Sequence, residues 1–459
     1  MTKQLVAMTN TQSAIGSITP VTAEYPSRHA NIFKKSSFEL FSSSDSRTNL
    51  FKAIGPGILV ACAAIGGSHL VWSTQAGAQY GWSLIGLILL ANLFKYPFFL
   101  YGQRYTAATG ESLLAGYKRQ GVAYVYIFLG INIFTGVINT ASVAMISGTL
   151  FAGYGFDGSS IPILTVGILL ICAAVILVGH YKMLDKMAKL AVVVLGLSTL
   201  VALGLAFSHG PVASPDFVGP SPWTWMAFPF LVMLLGWMPA PIDLSAWSSL
   251  WMFSRKEETG HFATTRETSI DFYLGYVMAV LMAVAFVGLG KLIMYGSGEE
   301  LASGGIGFSQ QLVNLYSANI GSWSKPLILT AAFTTMFSTT MTCIDGYPRS
   351  LAASCTLLND SFSRRFKQIF QLTIVLSVVA SCILVLFFVN NLLQLLSFAA
   401  IISFVTSPVL AYINYKVMNG SNVPVKDRPG TFLKILSWAG LLFFLLMTLG
   451  FVYVEFFRV

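Results

Sequence analysis

Three ionisable side chains fall inside stretches otherwise built for hydrocarbon. His69 ends Ile65-Gly66-Gly67-Ser68-His69, midway along a run (53–94) that has no Lys, Arg, Asp or Glu. Asp243 follows Pro239 and Pro241 in a second apolar run, and Lys95 stands in Leu93-Phe94-Lys95-Tyr96-Pro97. Ionisable groups are costly in a bilayer and mark ion or solute paths. Imidazole can ligate a metal, hydrogen-bond a solute or exchange a proton near neutral pH. A carboxylate can hold a cation, or it can cap a helix N-terminus. An ammonium can snorkel to the interface, or it can pair with a buried acid such as Asp243 and stand in for a mobile coupling ion. Each residue therefore has a structural reading beside its functional one.

The elements that would position these groups are helices that stop and restart. Gly66-Gly67-Ser68 interrupts the first apolar run, and Gly236 with Pro239 and Pro241 interrupts the sixth. Two prolines remove helical donors and clash with the preceding turn, while glycine adds slack. A broken membrane helix exposes backbone N–H and C=O groups that hydrocarbon cannot satisfy, so the break must line a cavity or meet a solute. The two breaks place Gly66, Gly67, Ser68 and His69 opposite Leu235, Met238, Ala240 and Asp243 as the expected substrate contacts. If a metal binds, His69, Met238 and Asp243 are the expected ligands. Trp72 and Trp237 flank the breaks.

Composition agrees with a polytopic membrane protein: 55% hydrophobic and 10% charged, with a mean hydropathy of +0.72. Apolar runs predict about eleven spanning helices, near 51–78, 83–105, 122–152, 161–179, 187–208, 223–252, 269–294, 325–344, 366–389, 391–415 and 432–456. The net charge of +9 lies mostly in connections on one side, among them Lys118, Arg119, Lys182, Arg255, Arg266 and Arg365. That is the positive-inside pattern and not a nucleic-acid stripe; it predicts a cytoplasmic N-terminus. Residues 1–50 are polar and Ser-rich and read as a disordered cytoplasmic tail. The five cysteines are scattered, with no metal or disulfide spacing, and read as packing residues. Breaks in spans one and six, five apart, predict an inverted repeat of 51–208 and 223–415 with an added C-terminal span at 432–456.

Gly55-Pro56-Gly57, Gln75-Ala76-Gly77-Ala78-Gln79-Tyr80-Gly81, Leu89-Leu90-Ala91-Asn92-Leu93, Thr109-Gly110 and Met238-Pro239 resemble Nramp-type divalent-metal transporters. The likeness follows span order over about 51–415 and implies an all-α, LeuT-type inverted-repeat fold with spans one and six broken. It also marks a divergence. The family has Asp-Pro-Gly-Asn where this chain has Gly66-Gly67-Ser68-His69, so the metal carboxylate falls at Gly66 and the Asn at His69. The family histidines of span six fall at Ala240 and Ser245, and the span-three acids linked to proton movement fall at Gly136 and Asn139.

Further candidates for coupling or gating are Lys95, Asn139, Thr335, Ser338, Thr339, Asp345 and Gln394. Thr335, Ser338 and Thr339 lie in Thr334-Thr335-Met336-Phe337-Ser338-Thr339-Thr340. The resemblance implies that such hydroxyls could hold sodium against span one; the alternative is bonding to the preceding turn. Asp345-Gly346-Tyr347-Pro348-Arg349 reads as a helix stop at an inner gate, and Gln394, Ser397 and Phe398 as lining from span ten. No nucleophile, phosphate loop or cofactor motif is present, which argues against an enzyme. The expectation is a secondary transporter in the bilayer, of the bacterial inner membrane, with a small-molecule or ion substrate. No cofactor, nucleic acid or obligatory protein partner is called for. A divalent cation is the leading substrate, with a small organic solute as the alternative and a non-transporting receptor third.

Overall fold

The computed structural model describes residues 46–298, 302, 307, 310–311, 313–314, 317, 321–388 and 391–457. Helices follow in the order α1 (Ser46–Ala53), α2 (Pro56–Ala64), α3 (Ser68–Tyr80, opening as a π-helix), α4 (Ile85–Thr109) and α5 (Leu113–Gln120). They continue with α6 (Val122–Ala152), α7 (Ile161–His209), α8 (Phe228–Gly236), α9 (Leu244–Thr259) and α10 (Thr265–Ile293). The last are α11 (Lys325–Leu358), α12 (Phe366–Phe387), α13 (Leu392–Val405), α14 (Ser407–Met418) and α15 (Thr431–Phe457).

Among the described residues, nine helical stretches are long and apolar enough to cross a bilayer, and α7 holds two of them, Gly158–Val178 and Tyr181–His209. The bent pair α2–α3, with 45° between its halves, makes a tenth. The halves α8 and α9 occupy the place expected for span six, each too short to cross alone. The lipid-facing surface is correspondingly apolar: Val178, Leu197, Leu281, Leu386 and Leu446 are all well exposed.

Two expectations change here. The sequence 345–349 does not stop its helix. Pro348 lies inside α11, which runs on to Leu358, and Thr373 Oγ1 donates to the Pro348 carbonyl at 3.1 Å. Of the proposed tail, residues 1–45 lie outside the described residues, while 46–53 form α1. Arg255 anchors α1 by donating to the carbonyls of Phe51 (3.2 Å) and Lys52 (2.8 Å), and it also pairs with Asp185 of α7 (3.3 Å).

Span one is held along its whole length by α10, and glycines set the distance. A Cβ on Gly57 would sit 2.2 Å from the Asp271 carbonyl oxygen, and one on Gly275 would sit 2.0 Å from that of Gly57. Beyond the break, Gly77 would meet Val287 O at 2.0 Å and Gly290 would meet Thr74 O at 2.1 Å. Backbones touch at both ends, which small residues permit in membrane bundles. Asp271 adds a cap at the start of α2: its carboxylate accepts from Gly55 N at 3.0 Å and Gly57 N at 2.5 Å. Helix N-termini leave such donors without intrahelical partners, and a buried acid satisfies two at once.

Candidate functional site

The breaks meet side by side. Ser68 Oγ, in the first, reaches the Pro239 carbonyl of the second at 3.4 Å. Between them lies a small cavity, in which about 30 Å³ is open to the centre of a water molecule. At ~10–15 Å³ per water by that measure, it has room for two or three waters. Its polar lining comes from Ser68, Asn139, Thr339, Tyr347 and the indoles of Trp237 and Trp247, and no lining residue is charged. Trp247 Nε1 is buried without a hydrogen-bond partner.

A network of neutral side chains joins the elements around this cavity. Trp237 Nε1 donates to Asn139 Oδ1 (3.1 Å) and Ser403 Oγ (3.3 Å). Asn139 Nδ2 donates to Tyr347 Oη at 2.7 Å. Asp243 lies behind this network: its Oδ2 accepts from Thr135 at 3.5 Å. Asp243 is buried, and its Oδ1 has no partner. It does not line the cavity and does not make the side-chain cap of α9. Asn139, at the position the resemblance gives to a span-three acid, thus becomes the hub linking α6, the span-six break, α11 and α13.

His69 turns the other way. Its Nε2 donates to the Ala279 carbonyl of α10 at 2.8 Å, and Nδ1 lies 2.6 Å from Ser68 Oγ. A carbonyl only accepts, so Nε2 carries a proton, and in the neutral ring Nδ1 accepts from Ser68. Ser68 Oγ is also 2.7 Å from Ala64 O, so imidazole and carbonyl share one hydroxyl proton. His69 does not line the cavity. Met238 is buried at the break. Among the described residues, no group of three His, Cys, Asp or Glu is placed to hold a metal ion. Of the expected ligands His69, Met238 and Asp243, none lines the cavity, and His69 is held by Ala279 O.

Lys95 neither snorkels nor forms an ion pair with Asp243. It is fully buried, and its ammonium donates to Leu235 O (2.8 Å), Gly236 O (2.9 Å) and Ala240 O (3.0 Å). Leu235 and Gly236 carry two of the last carbonyls of α8, which helix geometry leaves open. Gly236 and Gly67 let other neighbours pack close to the two breaks. A Cβ on Gly236 would meet Ala400 O at 2.0 Å, and one on Gly67 would meet the Trp237 ring at 2.7 Å. Gly66, at the family's carboxylate position, faces Thr339, whose Oγ1 would lie 3.0 Å from an added Cβ.

The hydroxyls of α11 are already engaged. Thr339 donates to Cys62 O (3.0 Å) and Thr335 O (3.1 Å), Thr335 to Ala331 O (2.8 Å), and Ser338 contacts Cys62 Sγ (3.3 Å). They tie α11 to α2, and Thr335 and Thr339 bond their own preceding turns, as hydroxyls commonly do in such helices. Asp345 accepts from Arg349 (2.6 Å) and from Trp251 Nε1 of α9 (2.7 Å), clasping α11 to the second half of span six. Gln394 is exposed, Phe398 is exposed and Ser397 bonds its own turn, so these three leave the expected lining. Asp271 went unnoticed in the sequence because an acid two turns into a helix reads as interfacial; the signal was its depth beside Gly275.

Two helices interrupted side by side, with a small uncharged cavity between them and a shell of membrane-long apolar helices, define a membrane transport protein of the LeuT-type architecture. Solved structures share that architecture. The chain is similar to a mutant of the manganese transporter of Eremococcus coleocola (TM-score 0.66, 13% identity, 92% of each chain). It is also similar to MhsT in complex with L-phenylalanine (TM-score 0.57, 13% identity, 88% of this chain and 98% of the other). Residues 57–454 match the family described as Nramp, natural resistance-associated macrophage protein-like. The chain belongs to that family. A curated relative is the uncharacterized protein PM0681 of Pasteurella multocida (strain Pm70), 38% identical over 405 residues, covering 88% of this chain and 92% of that one.

Proposed function

We propose that this protein is a secondary-active transporter that carries a divalent metal ion by alternating access, with the ion keeping much of its water. The observation that carries the reading is the cavity between the two breaks, a mostly apolar wall into which a few amide, hydroxyl and indole groups project and no charged residue. A bare Mn²⁺ or Fe²⁺ favours carboxylate and imidazole ligands. A hydrated ion asks less, because its waters keep most inner positions and the protein supplies oxygen acceptors to them, as with Mg²⁺. Asn139 Oδ1, Tyr347 Oη and the buried Asp243 carboxylate behind it are suited to that work. Residues 51–208 and 223–415 are the two repeats that move against each other, and 432–456 is an added span. The distribution of Lys and Arg supports a cytoplasmic N-terminus in a bacterial inner membrane.

The test is uptake of Mg²⁺ and Mn²⁺ into liposomes containing the purified chain. Saturable flux of either ion, reduced tenfold or more by Asp243→Asn, supports the reading. Trp237, Trp247 and Tyr347 also wall the cavity with aromatic surface, which favours a small organic solute as the second reading. Absence of any metal flux, together with heat-stabilisation by an organic ligand, would remove the metal assignment.

A further inference from the structure

The geometry points to Lys95 as a tethered cation: its ammonium fills a three-carbonyl cation site at the span-six break, fixes the break and keeps mobile cations out of that position. The inference stands whichever solute the cavity carries.

Three features meet at this point. An ammonium has three N–H donors and no acceptor, and here each faces a different backbone oxygen at 2.8–3.0 Å. The donor set is saturated without an acid. Two of the oxygens end α8, where the helix dipole concentrates negative charge, and the third, Ala240 O, belongs to the break itself. One side chain therefore ties the end of α8 to the interrupted segment, and a positive charge is what such a cluster of carbonyls selects. Broken-helix transporters commonly fill positions of this kind with an ion. In this chain the charge is covalently attached to α4.

The packing leaves little freedom. The Lys95 side chain is fully buried, and Gly236 is pressed on its other side against the Ala400 carbonyl of α13. The end of α8 is thus held between a fixed charge from α4 and a backbone from α13. Lys95 acts as a positioning residue. It stabilises the broken form of span six and spends on a fixed monovalent charge the carbonyls that would otherwise bind a second ion.

Melting of the full chain in detergent, in a buffer free of small cations, tests this. Lys95→Ala should melt several degrees below wild type. Propylammonium, the fragment that substitution removes, should restore at least half of the loss, while propanol of the same length should not. Lys95→Met fills the space without charge, and it should melt low and gain nothing from propylammonium. Wild type should ignore both additives. The inference is overturned if Lys95→Met melts like wild type, or if propylammonium does no more for Lys95→Ala than propanol. If the variants cannot be purified, ¹⁵N-lysine spectra of the wild type decide: one ammonium whose protons exchange far more slowly than those of the other lysines supports it, and none refutes it. These readouts do not involve flux, so they stand or fall apart from the substrate.

Discussion

Asp271→Asn should loosen the first half of span one. In the native protein two backbone N–H groups, Gly55 and Gly57, donate to the two oxygens of this buried carboxylate. A hydrogen bond to a charged group contributes ~1.5–3 kcal/mol. Asparagine keeps one acceptor and sets its NH₂ against the other donor. The net loss is therefore about 2–3 kcal/mol, roughly 30- to 150-fold in the local opening of α2. Cys62 reports that opening. It is buried in α2, with its thiol donating to Ala188 O at 3.0 Å and touching Ser338 Oγ at 3.3 Å. With the other four cysteines changed to Ala, a small water-soluble maleimide should label purified Asp271→Asn faster by that factor, provided opening and closing outpace labelling. A variant retaining only Cys172, buried in α7, separates local opening from global unfolding and should be unaffected. If Cys62 labels within threefold of its parent rate, the cap does not hold α2 and the reasoning fails.

Gly66→Asp restores a carboxylate at the position the family uses for metal, with its Cβ about 3 Å from Thr339 Oγ1. It should strengthen Mn²⁺ binding about tenfold or more relative to Mg²⁺, since Mn²⁺ exchanges water for an anionic ligand more readily than Mg²⁺, which dehydrates reluctantly. Calorimetric titration measures both, and an unchanged ratio would show that this face of the break does not see the ion. Gly236→Ala adds a methyl 2.0 Å from Ala400 O, where backbone cannot yield cheaply. Overpacking of this kind costs ~1–3 kcal/mol or more, so the variant should melt several degrees low by fluorescence, and a wild-type melting curve would contradict the packing described.

Much of the frame was readable in advance. The run from Val122 to Ala152 is one helix with the expected limits, because apolar length and flanking glycine fix where a chain can cross. Both breaks were readable too, since Gly66-Gly67 and the two prolines remove what a helix needs. Facing was not. Once 65–67 leave the helical repeat, the phase of the next helix is lost, and His69 turned out to face Ala279 and not the cavity. Lys95 misled for a different reason. Hydropathy registers a charge in apolar surroundings but not that a neighbouring helix ends beside it, offering three carbonyls. Gln394 shows the same blindness from the other side: its polarity suggested lining, yet it is exposed. Pro348 was read as a stop, but α11 carries it and runs on to Leu358, as packed membrane helices can.

The backbone contacts along α10 have a mechanical consequence. They begin at Asp271 and Gly275, pass the His69 bond at Ala279 and end at Val287 and Gly290. The nineteen helical steps from Asp271 to Gly290, at about 1.5 Å each, make that seam about 28 Å long, nearly a full hydrocarbon thickness. Surfaces already in contact can part but cannot be driven closer. Each half of span one therefore has a forbidden direction of travel, toward α10, and a permitted one, away from it. Such a seam is a one-way stop. The end at Asp271 is latched by a carboxylate, whereas the end at Gly77 and Gly290 rests on contact, so the two halves need not swing with equal ease.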